Sequence, residues 1–123
     1  MEIKNLHVST ILANSGYVIL NKKLVKTIGL DLAYLYSELA NEEKYWYDRK
    51  ELTEDGYFFS THSNIEKSVG WKRKKQWSQI TKLKELGLLE TEVRGMPGKR
   101  YIKLIPDELI KILDDPSCFR LET

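Results

Sequence analysis

Lys72-Arg73-Lys74-Lys75 is a run of four cations. Its chemistry is anion capture. A lysine ammonium is a point charge, and an arginine fork matches phosphate oxygens or a guanine edge. The run follows Gly70-Trp71 and opens a stretch with helical spacing. Four consecutive helical positions spread around the axis, so they cannot all face one way. Some then reach base edges and others reach phosphates on both sides of a groove. Arg73 and Lys74 are best placed for bases. Ser78 lies one turn beyond Lys74 and can meet a base or a phosphate. Lys82 lies a further turn on and suits a phosphate. Cations at a helix start oppose the helix dipole. That cost suggests selection for something other than folding.

Two further groups extend the same chemistry. Arg94, Lys99 and Arg100 border the turn Gly95-Met96-Pro97-Gly98, and at least one of Arg94 and Arg100 is expected to point outward. Thr61, Ser63 and Asn64 open another helix, where hydroxyls, an amide and free backbone N–H groups can hold phosphate. Ser60 or Thr61 can also cap that helix.

The net charge of +2 conceals a strong asymmetry. Between Trp71 and Leu104, ten Lys and Arg residues accompany three acids, a net +7; the remainder of the 123 residues carries −5. A basic segment of this kind is the footprint expected for a polyanion.

Other chemistries lack their residues. There are two histidines, His7 and His62, and one cysteine, Cys118. No metal-ligand spacing occurs, and an internal disulfide is impossible. Nucleophile-elbow, Walker and dinucleotide motifs are absent. Glu42-Glu43 and Asp114-Asp115 read as solvated charge. No catalytic residue, cofactor or metal is expected. No run of 18 apolar residues exists, which excludes a transmembrane helix by sequence. With no signal peptide read, a reducing, cytoplasmic location is the expectation.

The elements that must position the cations follow from periodicity. His7–Leu12 and Gly16–Leu20 read as short extended runs around a turn at Asn14-Ser15-Gly16. Asn21 caps a short helix, Lys22 to Thr27, ended by Gly29. A longer helix starts at Asp31, with Leu32, Leu35, Tyr36 and Leu39 on one face. It runs on through Tyr45-Trp46-Tyr47, of which at least one should enter the core. Tyr57–Ser60 is a brief strand. A helix with Ile65 and Val69 inward, a turn at Gly70-Trp71 and a second helix from about Lys72 to Leu86 follow. The second helix buries Ile80, Leu83 and Leu86, with Gln76 or Trp77 one turn earlier. Packing is the expected role of both Trp71 and Trp77. Leu88–Val93 and Arg100–Leu104 form a β-hairpin. Pro106 opens a last helix to about Leu113. The predicted fold is α+β and mostly helical: a winged helix-turn-helix with a C-terminal β-hairpin wing and an N-terminal extended arm. The arm is placed at 1–20, the domain at 21–114 and a flexible tail at 115–123.

Ser60 through Trp71, then Ile80 through Leu89, then Arg94 through Tyr101 carry a resemblance. Together they resemble the N-terminal winged-helix domains of phage and plasmid replication initiators of Gram-positive bacteria, over roughly residues 17–105. Lys-Glu-Leu-Gly-Leu-Leu at 84–89 and Gly-Met-Pro-Gly-Lys-Arg-Tyr at 95–101 are most similar to the replisome-organiser and DnaD-like group. The resemblance implies double-stranded DNA as partner and a role in replication initiation or its control.

Two other readings share these residues. One is a transcriptional repressor with the same fold. The other is a winged-helix module that binds protein through Tyr45-Trp46-Tyr47 and the arm. A homodimer is expected of either DNA-binding reading, because paired half-sites suit two-fold symmetry. A replication or regulatory protein is a further expected partner.

Overall fold

A computed structural model of the chain describes residues 7–13 and 16–114. The expected turn residues Asn14 and Ser15, the tail from 115 and Cys118 lie outside the described residues. The elements run α1 (Val8–Leu12), α2 (Lys22–Ile28), α3 (Leu30–Asp48), β1 (Phe58–Phe59), α4 (His62–Val69), α5 (Arg73–Glu85), β2 (Leu89–Arg94), β3 (Lys99–Leu104) and α6 (Pro106–Asp114). This is a mostly helical winged helix-turn-helix: α4 and α5 form the helix-turn-helix, and β2 and β3 form the wing.

Local chemistry accounts for the boundaries. The Asn21 side chain accepts from the Leu24 N–H and caps α2. Gly29, at φ 95°, ends α2 and begins α3 in a conformation that few other residues adopt. The Thr61 hydroxyl accepts from the Asn64 N–H and starts α4. Gly70 occupies the left-handed region at φ 79° and makes the tight turn into α5.

The core gathers Leu35, Tyr36 and Leu39 of α3, Ile65 of α4, and Ile80 and Leu83 of α5 against Phe58, Leu89, Ile102 and Leu104 of the sheet. Trp46 and Leu32 pack on its edge, as do Val69 and Trp71. The sheet is antiparallel in the order β1-β3-β2. Its register pairs Phe58 with Ile102 and Leu89 with Leu104. Strand alternation therefore puts Leu89, Thr91, Val93, Arg100, Ile102 and Leu104 on the helix-facing side. Glu90, Glu92, Arg94, Lys99, Tyr101 and Lys103 take the other side.

Three expectations are corrected. The run His7–Leu12 is not extended: Val8–Leu12 is one helical turn, and Tyr17–Leu20 joins no strand. Its β-branched residues gave the extended signal, but a strand needs a ladder partner and none is present among the described residues. Leu86 is 45% exposed, because it is already the C-cap residue of α5 and has left the buried stripe. Trp77 does not pack into the core and is 63% exposed. The stripe of α5 runs through Gln76, Ile80 and Leu83, and Trp77 is rotated out of it.

Candidate nucleic-acid interface

Gln76 is the residue that fixes α5 against α4. It is fully buried, which an amide tolerates only when its groups are paired. Its Nε2 donates to the His62 carbonyl at 3.0 Å and to the Trp71 carbonyl at 2.8 Å. Its Oε1 then faces His62 Nδ1 at 3.3 Å, so the imidazole carries its hydrogen there. One side chain thus ties the start of α4, the turn and α5 together. The spacing to Ile80 pointed to position 76, but a polar residue type hid the role.

Held this way, α5 directs its first turns outward. Arg73, Lys74, Lys75, Trp77, Ser78 and Lys82 are all exposed. Lys74, Ser78 and Lys82 form one row at four-residue spacing, and Arg73 and Trp77 form the neighbouring row nearer the wing. The four-cation run divides in two. Lys72 meets Glu66 at 3.2 Å, and Lys75 meets Asp31 at 3.1 Å while lying over the Trp71 ring at 4.4 Å. Arg73 and Lys74 form no ion pair among the described residues. They are the uncommitted charges at the helix start.

Trp71 is a packing residue, as expected. Its ring meets Tyr34 edge-on with centroids 6.1 Å apart, and the Tyr34 hydroxyl donates to the Ser68 carbonyl. The Tyr45-Trp46-Tyr47 cluster is split. Trp46 packs against the core, whereas Tyr45 and Tyr47 are exposed.

The wing is less uniform than its composition implied. Lys99 is exposed, its ammonium 5.5 Å from the centre of the Phe59 ring. Arg94 is engaged on the sheet side away from the helices. It pairs with Asp55 at 2.7 Å and Glu92 at 2.6 Å, and its guanidinium lies over the Tyr57 ring. The Thr53 hydroxyl and Arg94 together hold the Asp55 carboxyl below its ordinary range. Arg100 points inward, opposite to Arg94. All three of its side-chain nitrogens are buried without a hydrogen-bond partner. Pleat alternation turns Arg100 inward and Arg94 outward, as expected of at least one of the pair, and on that outer face local acids bind Arg94.

Beneath the wing lies a polar cluster that corrects the expectation of solvated charge at Glu42, whose carboxyl is largely buried there. Ser60 is buried and donates to Glu42 Oε1 at 3.2 Å. Burial pushes the Glu42 carboxyl up to about 7, against the lowering influence of that hydrogen bond and of Arg100. Burial also lowers the Arg100 guanidinium, as does the charge of Arg73, while Glu42 supports it. Ser60 is therefore structural, and Thr61 is the cap.

An open groove of about 420 Å³ separates α5 from the wing. Thr61 and His62 line one side, Trp77 another, and Val93, Gly98, Lys99 and Arg100 the wing side. Ser63 is exposed on α4. Asn64 instead lines a second groove, between α3 and α4, with Glu38 and Glu42. The structure thus brings Thr61, Lys99 and Trp77 around one groove, with Arg73, Lys74 and Ser78 on the same helix turns. It leaves Arg94 and Asn64 apart.

No group of three or more metal-ligating side chains occurs among the described residues. None of their helices is long and apolar enough to cross a membrane.

No family model and no curated protein sequence matches this chain. Solved structures do. One, described as "N-Terminal domain of DNA binding protein", superposes with a TM-score of 0.62 at 18% identity, covering 88% of this chain and 91% of that one. Another, described as "Structure of Rep-DNA complex", gives a TM-score of 0.63 at 17% identity, covering 89% and 95%. At such identities the likeness establishes a shared fold, the winged helix-turn-helix that the element order and sheet register had already defined.

Proposed function

We propose that this chain binds double-stranded DNA, placing the first turns of α5 in the major groove and the wing alongside. The observation that carries the reading is the exposed, uncommitted pair Arg73 and Lys74 at the start of a helix anchored from behind by Gln76. Helix-turn-helix docking presents just those turns to base edges. Lys82 and Lys99 supply phosphate contacts on either side, and Ser78 reaches a base or phosphate. Thr61 and Ser63 present the α4 start to the backbone.

The finer role we infer is replication initiation, or its control, in a phage or plasmid, in the cytoplasm. The residue resemblance to replication initiators supports it. So does the fold shared with a chain described as part of a Rep–DNA complex. A homodimer suits this role. Val8, Ile11, Leu12, Tyr17 and Ile19 are all more than half exposed and give a second copy apolar surface to cover. Exposed Tyr45 and Tyr47 favour one alternative, a module that docks protein.

The test is a titration on a random duplex of about 30 base pairs at two salt concentrations, with an Arg73→Ala/Lys74→Ala double variant in parallel. Salt-sensitive binding that the variant loses by about tenfold or more supports the reading. Absence of binding at low salt overturns it and leaves the tyrosine surface as the functional one.

A further inference from the structure

Trp77 is the anomaly of the candidate interface. A tryptophan carries a large apolar surface that folding ordinarily covers. Here it is 63% exposed on the helix where every other exposed side chain of the first two turns is polar or charged. It stands one turn beyond Arg73 and next to Ser78. Across the groove stands Val93, 72% exposed, with Lys99 beside it. Gly98 keeps this wall open, since a Cβ there would come within 2.5 Å of Val93 Cγ1. Met96 at the wing tip is 97% exposed. The result is an apolar pair, Trp77 facing Val93, beside the cation Arg73, with Lys99 at the rim of the same groove and its ammonium toward Phe59.

Charge decides what such a pair fits. A cationic frame selects a polyanion, which disfavours an apolar protein surface as the occupant. The apolar group that a DNA major groove offers is the thymine C5-methyl. We propose that Trp77 is a specificity-determining residue that packs its indole on thymine methyl groups at the edge of the site read by Arg73 and Lys74. This rests on the DNA-binding reading above and adds to it a preferred base. The polar residues fix register, and the indole discriminates through a contact that cytosine cannot supply.

The experiment begins with selection of a preferred duplex by the wild-type protein from a random pool. Each thymine of that duplex is then replaced singly by deoxyuridine, which removes only the methyl group. Wild-type protein is expected to lose about fourfold in affinity at one or two positions, the value of one buried methyl group. Trp77→Ala is expected to bind the thymine duplex more weakly and to show no difference between thymine and deoxyuridine there. Trp77→Phe should recover part of the difference. Because Trp77 is outside the core, its variants should keep the wild-type unfolding temperature. A wild-type protein indifferent to every deoxyuridine overturns the proposal while leaving DNA binding intact. So does a Trp77→Ala variant that retains the wild-type methyl sensitivity. Failure of the wild-type protein to bind any duplex overturns both readings, and that result is distinct from the other two.

Discussion

Glu42 shows how one residue couples the core to pH. Its carboxyl is held near pH 7 chiefly by burial, with Ser60 and Arg100 pulling the other way. In the unfolded chain it titrates near 4.5. The folded state therefore binds the proton more tightly between these values. Stability is fully present below pH 4.5 and is lost as pH rises through 7. The size follows from about 1.4 kcal/mol per pH unit over a difference of about 2.5 units, a total loss of about 3–4 kcal/mol, of which about 2 kcal/mol falls between pH 5.5 and pH 8. Thermal unfolding of the wild type at pH 5.5 and pH 8 should show the drop. Glu42→Gln, which retains an acceptor for Ser60 and carries no charge, should flatten it. An equal drop in the variant would place the titration elsewhere.

At the scale of the element, α4 begins on a residue with two possible duties. Thr61 caps the helix through its hydroxyl and also lines the groove beside the wing. Thr61→Ala removes the cap and should cost about 1 kcal/mol, or about 4 °C in unfolding temperature. Thr61→Asp separates the duties, because aspartate caps as well as threonine and suits the helix dipole. It should unfold near the wild-type temperature yet bind duplex DNA several-fold more weakly, by repulsion of the nearest phosphate. Undiminished binding would confine Thr61 to capping. The elements were largely legible in the sequence because caps and stripes are local signals. Asn21, Thr61, Gly70 and Pro106 marked helix ends within a residue or two. What escaped was decided by tertiary partners. Val8–Leu12 has strand-like residues but no ladder to join. Arg94 and Arg100 look alike in sequence, and only the pleat and Asp55 separate them. Gln76 was disguised by its polarity, which made the more apolar Trp77 look equally fit for the stripe.

For the whole molecule, net charge is a poor guide and charge placement a good one. The chain carries only +2, yet a segment of +7 holds α5 and the wing. Not all of that charge is available to DNA. Lys72, Lys75 and Arg94 are bound to acids of this chain, and the guanidinium nitrogens of Arg100 are buried. Arg73, Lys74, Lys82 and Lys99 remain as exposed cations of the proposed interface. Arg73 and Lys74 are assigned to base edges, which leaves Lys82 and Lys99 for phosphate; at about −0.9 per phosphate neutralised, two contacts give a slope of log affinity against log salt of about −1.8. If the exposed apolar residues of α1 and the following segment pair two copies on one duplex, both interfaces engage and the slope per complex approaches about −3.6, roughly double. Binding isotherms across a salt series, combined with the sedimentation mass of the complex, therefore report the charge count and the assembly together. A slope near −1.8 with one protomer bound is the monomer, and a doubled slope with two protomers is the dimer. A much steeper slope at one protomer would mean that Lys72 and Lys75 leave Glu66 and Asp31 for phosphate. Exposed ion pairs are weak enough to make that exchange, at about 0–1 kcal/mol each. Glu66→Gln and Asp31→Asn would then leave the slope unchanged and raise the affinity, since the competing carboxylates are gone.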